Sequence, residues 1–255
     1  MTRPDVTCVI PSHERADLMA RCLTSVAAQR DAAIEIIVTD DSRSSAIRDL
    51  VAALAPLTSP VRLHEGPRTG NPVDNWNAGL ASARAPLHVL IHQDEFLVDP
   101  LYLRRAIDAL DRNVAAVATL AGVTVIGVER PSRFALVSPI GGRLPGARRM
   151  LPLINWIGPT AAFVFRAGPR FDRGFVQLAD VEFYGRVLET GPLVRLSGVS
   201  VGSLGHHDGQ ITAQINATDR ALTELALLAS RRPPSLSRLE HAAFSAAVRM
   251  RRRLA

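Results

Sequence analysis

The chain has 255 residues and a formal net charge of +6, all 30 of its basic residues being arginine, with 47% hydrophobic and 21% charged residues. That balance excludes a disordered chain and is enough for one large core or two small ones. Residues 1–230 hold 23 arginines against 23 acids, whereas 231–255 hold seven arginines and one acid, Glu240, so the body lacks the basic face of a nucleic-acid binder.

Val6-Thr-Cys-Val-Ile10 is an apolar run ended by Pro11, the pattern of a buried strand feeding a loop. Asp5, His13, Glu14 and Arg15 leave no apolar stretch of signal-peptide length around it. Leu18, Met19, Cys22, Leu23 and Val26 recur at helical spacing and predict an amphipathic helix over 16–30, capped between Arg15 and Asp17. Cys8 and Cys22 read as packed thiols, with no metal-type cysteine spacing. Ile34 to Val38 is β-branched, a second strand that runs into Thr39-Asp40-Asp41-Ser42. A helix over about 44–55, a short strand near 61–64 and a helix over 75–83 follow. Leu87 to Ile91 is a strand ending in His92-Gln93-Asp94-Glu95, then come a helix at 100–112 and a strand near 114–120. The uncharged run at 114–128 is short of the roughly 20 apolar residues of a spanning helix, so a soluble cytoplasmic protein is expected. Residues 129–160, rich in Gly, Pro and Arg, predict a flexible or substrate-covering loop. Phe163 and Phe165 mark a strand and Val181 to Glu189 a helix. Beyond 210 the pattern is helical, which divides the chain into a domain over 1–210 and a helical extension over 211–255.

Strands alternating with helices predict βαβ units and a mostly parallel sheet flanked by helices. Ligands of such sheets sit outside the carboxyl ends of the strands. Three strands end in polar clusters, at Pro11 to Arg15, Asp40 to Ser42 and Gln93 to Glu95, and these clusters should meet along one edge. Asp40 and Asp41 read either as a turn in which Ser42 caps the next helix, or as acceptors for a ligand's N–H or hydroxyl groups. Asp94 and Glu95 are adjacent carboxylates whose burial needs compensation. A hard divalent ion such as Mn²⁺ or Mg²⁺ would supply it and bridge to phosphates. Asp180 stands at a helix start, where a carboxylate serves as a simple N-cap or as a general base for an acceptor hydroxyl. His206 and His207 offer further ligands. No Gly-rich phosphate loop of the NTPase or dinucleotide type is present.

Taken in order, Val9-Ile-Pro-Ser-His-Glu-Arg15, Ile37-Val-Thr-Asp-Asp-Ser42, Gly70 with Asn75-Trp-Asn77, His92-Gln-Asp-Glu95 and Asp180-Val-Glu-Phe-Tyr-Gly-Arg186 resemble the motifs of the family 2 glycosyltransferases of the GT-A fold. The match spans roughly residues 5–210. The resemblance implies a GT-A, Rossmann-like sheet and an inverting, metal-assisted transfer of a sugar from a nucleoside diphosphate sugar, UDP- or dTDP-linked. It places Pro11, Ser12, His13, Arg15, Asp40, Asp41, Asn75 and Asp94 around the donor. Glu95, with His206 or His207, would hold the metal, and Asp180 would be the base. Asn155-Trp-Ile-Gly-Pro159 resembles the acceptor-side loop. Glu95 stands where the family usually has Asp, Gln93 where many members have a first Asp, and Glu14 replaces a common Asn.

The expected acceptor is a hydroxyl of a glycan or a lipid-linked molecule, as in cell-envelope polysaccharide assembly, and homo-oligomerisation is left open. Two alternatives stand beside the transferase: a catalytically inactive GT-A-fold binding protein, and a sugar nucleotidyltransferase. The latter would want an Arg/Lys-bearing Gly-rich loop after the first strand, which Pro11 to Arg15 does not supply. In the tail, Leu236, Leu239, Ala243, Ala247, Met250 and Leu254 recur at helical spacing among arginines. A basic amphipathic helix of this kind suits a membrane surface, so peripheral contact with the inner face of the membrane through 231–255 is expected.

Overall fold

The apolar runs at 6–10, 34–38 and 87–91 become neighbouring strands because each must bury both faces, which only the middle of a helix-covered sheet allows. The computed structural model describes residues 3–54, 60–127, 148, 151–152, 155–205 and 217–231. In chain order the elements are β1 (Val6–Ser12), α1 (Ala16–Ala27), β2 (Ile34–Asp40), α2 (Ala46–Ala53), β3 (Val61–Glu65), α3 (Pro72–Ser82), β4 (Leu87–Leu90), β5 (Glu95–Leu97), α4 (Tyr102–Arg112), β6 (Ala118–Ile126), β7 (Phe163–Arg166), α5 (Ala179–Val187), β8 (Leu193–Leu204) and α6 (Ala217–Ser230).

The eight strands form one sheet in the order β3-β2-β1-β4-β7-β6-β8-β5. β1 pairs in parallel with β2 and β4, β2 with β3, and β6 with β8. β7 runs antiparallel to both β4 and β6, and β5 antiparallel to β8, so six strands point one way and two the other. β1, β2 and β4 therefore deliver residues 11–15, 40–42 and 91–95 to the same edge. Helix α1 turns Leu18, Met19, Cys22, Leu23 and Val26 into the core. Cys8 and Cys22 are both buried free thiols, raised well above their ordinary pKa by burial.

Several boundaries differ from the sequence expectation for local reasons. α3 starts at Pro72 rather than 75, because Asn71 caps it by accepting from Val73 N at 3.1 Å and Pro72 fills the first turn. β6 starts at Ala118 rather than 114, since Val114 is solvent-exposed. α5 runs two residues earlier than 181–189. Ser42 does not cap α2; its Oγ accepts from Glu14 N at 2.7 Å and ties the β1 loop to the β2 loop.

Two strands, β5 and β8, were not foreseen. β8 is rich in Gly and Ser and half-buried along much of its length, so it lacks an apolar run. It bulges against β6 between Leu120 and Gly122, where Gly198 has φ +66°. Beyond the bulge it pairs with β5, and the Phe96 ring lies over Gly202, where a Cβ would stand 2.0 Å from it. This return carries the chain after β4 to the far end of the sheet.

α6, the described part of the extension, sends Leu225 and Leu228 into the main core. Among the described residues no helix is long and apolar enough to cross a membrane. His206, His207, most of the covering loop expected over 129–160 and the amphipathic tail beyond Arg231 lie outside the described residues.

Candidate active site

At the shared edge, Ser12 and Asp40 are paired residues of β1 and β2. Ser12 Oγ donates to Asp40 Oδ1 at 3.3 Å, and Ser42 N donates to the same oxygen at 3.0 Å. Asp40 is thus buried and occupied in shaping the turn. Asp41 joins the β2 exit to the β3–α3 loop, its Oδ1 accepting from Arg68 N at 2.6 Å. Asn75 of α3 donates through Nδ2 to Ser12 O (3.4 Å) and Thr39 O (3.0 Å), which binds α3 to the ends of β1 and β2. Its Oδ1 is buried without a hydrogen-bond partner. A Cβ on Gly66 would lie 2.5 Å from Asp41 Oδ1 and 2.7 Å from Asn75 Oδ1, so only glycine lets these two oxygens converge.

Pro11 is buried and His13 is exposed. His13 N donates to Gln93 Oε1 at 3.1 Å, and Gln93 Nε2 returns a bond to His13 O at 3.3 Å. Gln93 therefore joins the β1 and β4 exits. Arg15 pairs with Asp17 at 2.8 Å. Glu14, at φ +56°, accepts from Arg43 N (2.6 Å), Ser44 N (3.2 Å) and Ser44 Oγ (2.5 Å), and these donors lower its pKa.

Beyond β4, His92, Asp94 and Glu95 bring one ligand atom each within 4.8 Å of one another. Glu95 Oε2 accepts from His92 N (3.1 Å), Ala161 N (2.9 Å) and Thr160 Oγ1 (3.2 Å). Its Oε1 stands 3.8 Å from His92 Nδ1. Burial raises the Glu95 pKa, and Asp94 adds to the rise, while His92 and the backbone N–H groups oppose it. His92 leans on Trp76 of α3 with ring centroids 4.8 Å apart, and its Nε2 is buried without a partner. An imidazole nitrogen and two carboxylates make a donor set that Mn²⁺ accepts.

Asp180 sits in the first turn of α5, behind Leu178 at the helix cap, so it is not the N-cap. Oδ1 accepts from Val181 N at 2.8 Å and Oδ2 from Asn155 Nδ2 at 2.9 Å. Burial of the carboxyl pushes its pKa up to about 6 against the lowering effect of Val181 N–H, His92 and Asn155. His92 thus acts electrostatically on both Glu95 and Asp180.

His92 stands at a strand end beside two acids, yet its residue type alone gives it no role there. Thr160 and Ala161 carry no signal in sequence, because their bonds to Glu95 span some 65 residues. His206 and His207, expected as further ligands, lie outside the described residues.

A mostly parallel sheet whose β1, β2 and β4 ends gather these side chains beside α3, with Asp180 of α5 within electrostatic reach of His92, belongs to the GT-A class of glycosyltransferase domains. The chain is a member of Glycosyl transferase family 2, whose family model matches residues 7–170. It is 35% identical over 115 residues to the succinoglycan biosynthesis protein ExoO of Rhizobium meliloti (strain 1021), a stretch covering 45% of this chain and 32% of that protein. The chain therefore spans about a third of the curated relative it matches. Among solved structures, mannosyltransferase PcManGT from Pyrobaculum calidifontis, in complex with GDP-Man and Mn²⁺, superposes with a TM-score of 0.68 at 18% identity, over 96% of this chain and 70% of that one. S. aureus TarS 1–349 in complex with UDP-GlcNAc gives 0.67 at 15% identity, over 89% and 66%. At these identities the likeness speaks for the fold.

Proposed function

We propose that the domain transfers a sugar, with inversion, from a nucleoside diphosphate sugar to a hydroxyl of a glycan or lipid-linked acceptor. The observation that carries this reading is the placement of Asp180: a carboxylate raised to about 6, electrostatically linked through His92 to the acid cluster after β4. A base tuned near neutrality, within electrostatic reach of a cluster suited to a phosphate-bound cation, supplies the two groups an in-line displacement requires.

In this reading Asp41, the unpartnered Asn75 Oδ1 and the backbone around Ser12 and His13 receive the nucleoside. Glu95 holds the turn at Thr160 and Ala161, and with it the floor beneath the sugar. His92, Asp94 and the Oε1 of Glu95 would hold a divalent ion, which when bound neutralises charge on the diphosphate. Asp180 accepts the acceptor's proton as the hydroxyl oxygen bonds to the anomeric carbon. The bond from that carbon to the diphosphate oxygen breaks, and its electron pair leaves with the nucleoside diphosphate. Asn155 keeps the Asp180 carboxylate aimed and ionisable.

The nucleotide sugars bound to PcManGT and TarS, GDP-Man and UDP-GlcNAc, support a nucleotide-sugar site, with UDP- or dTDP-sugars expected here. ExoO supports a polysaccharide acceptor. The basic segment 231–255 suits work at an anionic membrane surface. A thermal-shift panel of UDP-, dTDP- and GDP-sugars with and without Mn²⁺, followed by nucleoside diphosphate release from the best donor, tests the reading. Asp180→Asn should keep donor binding and lose turnover. Full turnover in that variant would overturn it.

A further inference from the structure

The segment entering α5 is held by a side chain from outside the family-matched region. Glu224 of α6 accepts from Val176 N through Oε1 at 3.0 Å, and from Gln177 N and Leu178 N through Oε2 at 2.9 and 2.8 Å. Leu178 is the cap residue of α5, and Asp180 follows two residues later. Glu224 is only 3% exposed, and Arg220, one turn earlier on α6, donates to Oε1 at 2.9 Å. A buried carboxylate is tolerated only with such a set of donors. Reciprocally, three successive N–H groups ahead of a helix have found one anion.

The residues just before this point are gripped from two sides. On the α3 side, Asn77 exchanges two bonds with Phe171 (2.8 and 2.9 Å) and Asn71 Nδ2 donates to Arg173 O at 3.0 Å. On the α6 side, Arg231 pairs with Asp172 and lies over the Phe175 ring. The approach to Asp180 is thus strung between α3, which carries Asn75 and Trp76, and α6.

We infer that Glu224 is a positioning residue for Asp180, fixing the first turn of α5 through the backbone of 176–178. The inference rests on the reading of Asp180 as the base. It makes α6 part of the catalytic geometry, because the N–H groups it anchors belong to the turn that aims the carboxylate. Misplacing a reacting group by about 1 Å is enough to slow turnover by on the order of 100-fold.

The test compares the full chain with Glu224→Gln, Glu224→Asp and, as a control on the exposed side of the same helix, Thr223→Ala. Gln keeps the size but turns N–H toward N–H. Asp keeps the charge with a shorter reach. Amide exchange read by mass spectrometry over 174–184 needs no donor: Glu224→Gln should exchange about tenfold faster there, Glu224→Asp less so, and Thr223→Ala as the wild type. With the best of UDP-glucose, UDP-GlcNAc, dTDP-glucose and GDP-mannose, Glu224→Gln should lose 10- to 100-fold in kcat for nucleoside diphosphate release with donor KM within twofold, and its acid limb should move. Glu224→Asp should recover part of the rate. Wild-type exchange over 174–184, or wild-type kcat in folded Glu224→Gln, would sink the inference. If Asp180→Asn is inactive while Glu224→Gln is unimpaired, positioning alone fails; if Asp180→Asn is fully active, the base assignment fails instead.

Discussion

Asn155 Nδ2 donates to Asp180 Oδ2 at 2.9 Å, closing the gap between the 155–160 turn and the first turn of α5. The same amide accepts from Gly158 N at 2.9 Å through Oδ1, and Tyr184, one turn after Asp180, donates to Gly158 O at 2.9 Å. Loop and helix therefore share one small network. Asp180 is its only ionisable member in the neutral range, since burial drives the Tyr184 hydroxyl well above its ordinary pKa.

A base works ionised, so the transfer rate should fall as pH drops through about 6, the value to which burial pushes Asp180. Asn155→Ala removes a donor that favours the charged form. Its acid limb should move to higher pH, with more activity lost at pH 6.5 than at pH 8. A pH–rate profile of nucleoside diphosphate release checks both; an Asn155→Ala limb at the wild-type position contradicts the network's role.

Asp180→Asn should be inactive yet more stable at alkaline pH. The folded pKa is raised from 3.8 to about 6, so the stability contributed by this group is complete below its unfolded value and is lost as pH rises through 6. The shift corresponds to at most about 3 kcal/mol. The amide forfeits one of the two bonds that Asp180 accepts, worth about 1 kcal/mol. A net gain of about 1–2 kcal/mol is expected at pH 8, with none at pH 4. Denaturant titrations at the two pH values decide it.

Much of this site was legible from where apolar runs stop. Val6 to Ile10, Ile34 to Val38 and Leu87 to Ile91 are strands because of local pattern, and parallel neighbours must deliver their carboxyl ends to one edge. What stayed hidden depends on distant partners. Glu95 looks like a ligand in sequence, yet one of its oxygens is occupied by Thr160 and Ala161. β8 escapes notice because its Gly202 is there to admit the Phe96 ring, a requirement invisible without the pairing of β5. Glu224 reads as an ordinary surface position of a helix until the turn at 176–178 lies against it.

Gly66→Ala should damage donor binding more than folding. The added Cβ meets the carboxylate and amide oxygens of Asp41 and Asn75 at 2.5 and 2.7 Å, closer than van der Waals contact allows. Either side chain must turn away, and both belong to the proposed nucleoside pocket. Overpacking of this kind costs about 1–3 kcal/mol, which a core of this extent absorbs. Donor affinity should fall tenfold or more by calorimetry with the thermal midpoint shifted by a few degrees. Unchanged affinity would place the nucleoside elsewhere.

His92 separates a metal role from a purely structural one. Its Nε2 is buried without a partner, while Nδ1 faces Glu95 Oε1 at 3.8 Å and the ring rests on Trp76. If His92 is a ligand, His92→Ala should weaken Mn²⁺ binding by about tenfold or more, about 1.4 kcal/mol, measured by electron paramagnetic resonance of free Mn²⁺ in the presence of UDP. His92→Phe keeps the ring against Trp76 but offers no nitrogen, so it should bind Mn²⁺ as poorly as His92→Ala while folding as the wild type. Full Mn²⁺ affinity in His92→Phe would leave Asp94 and Glu95 as the ligands and reduce His92 to a ring packed on Trp76.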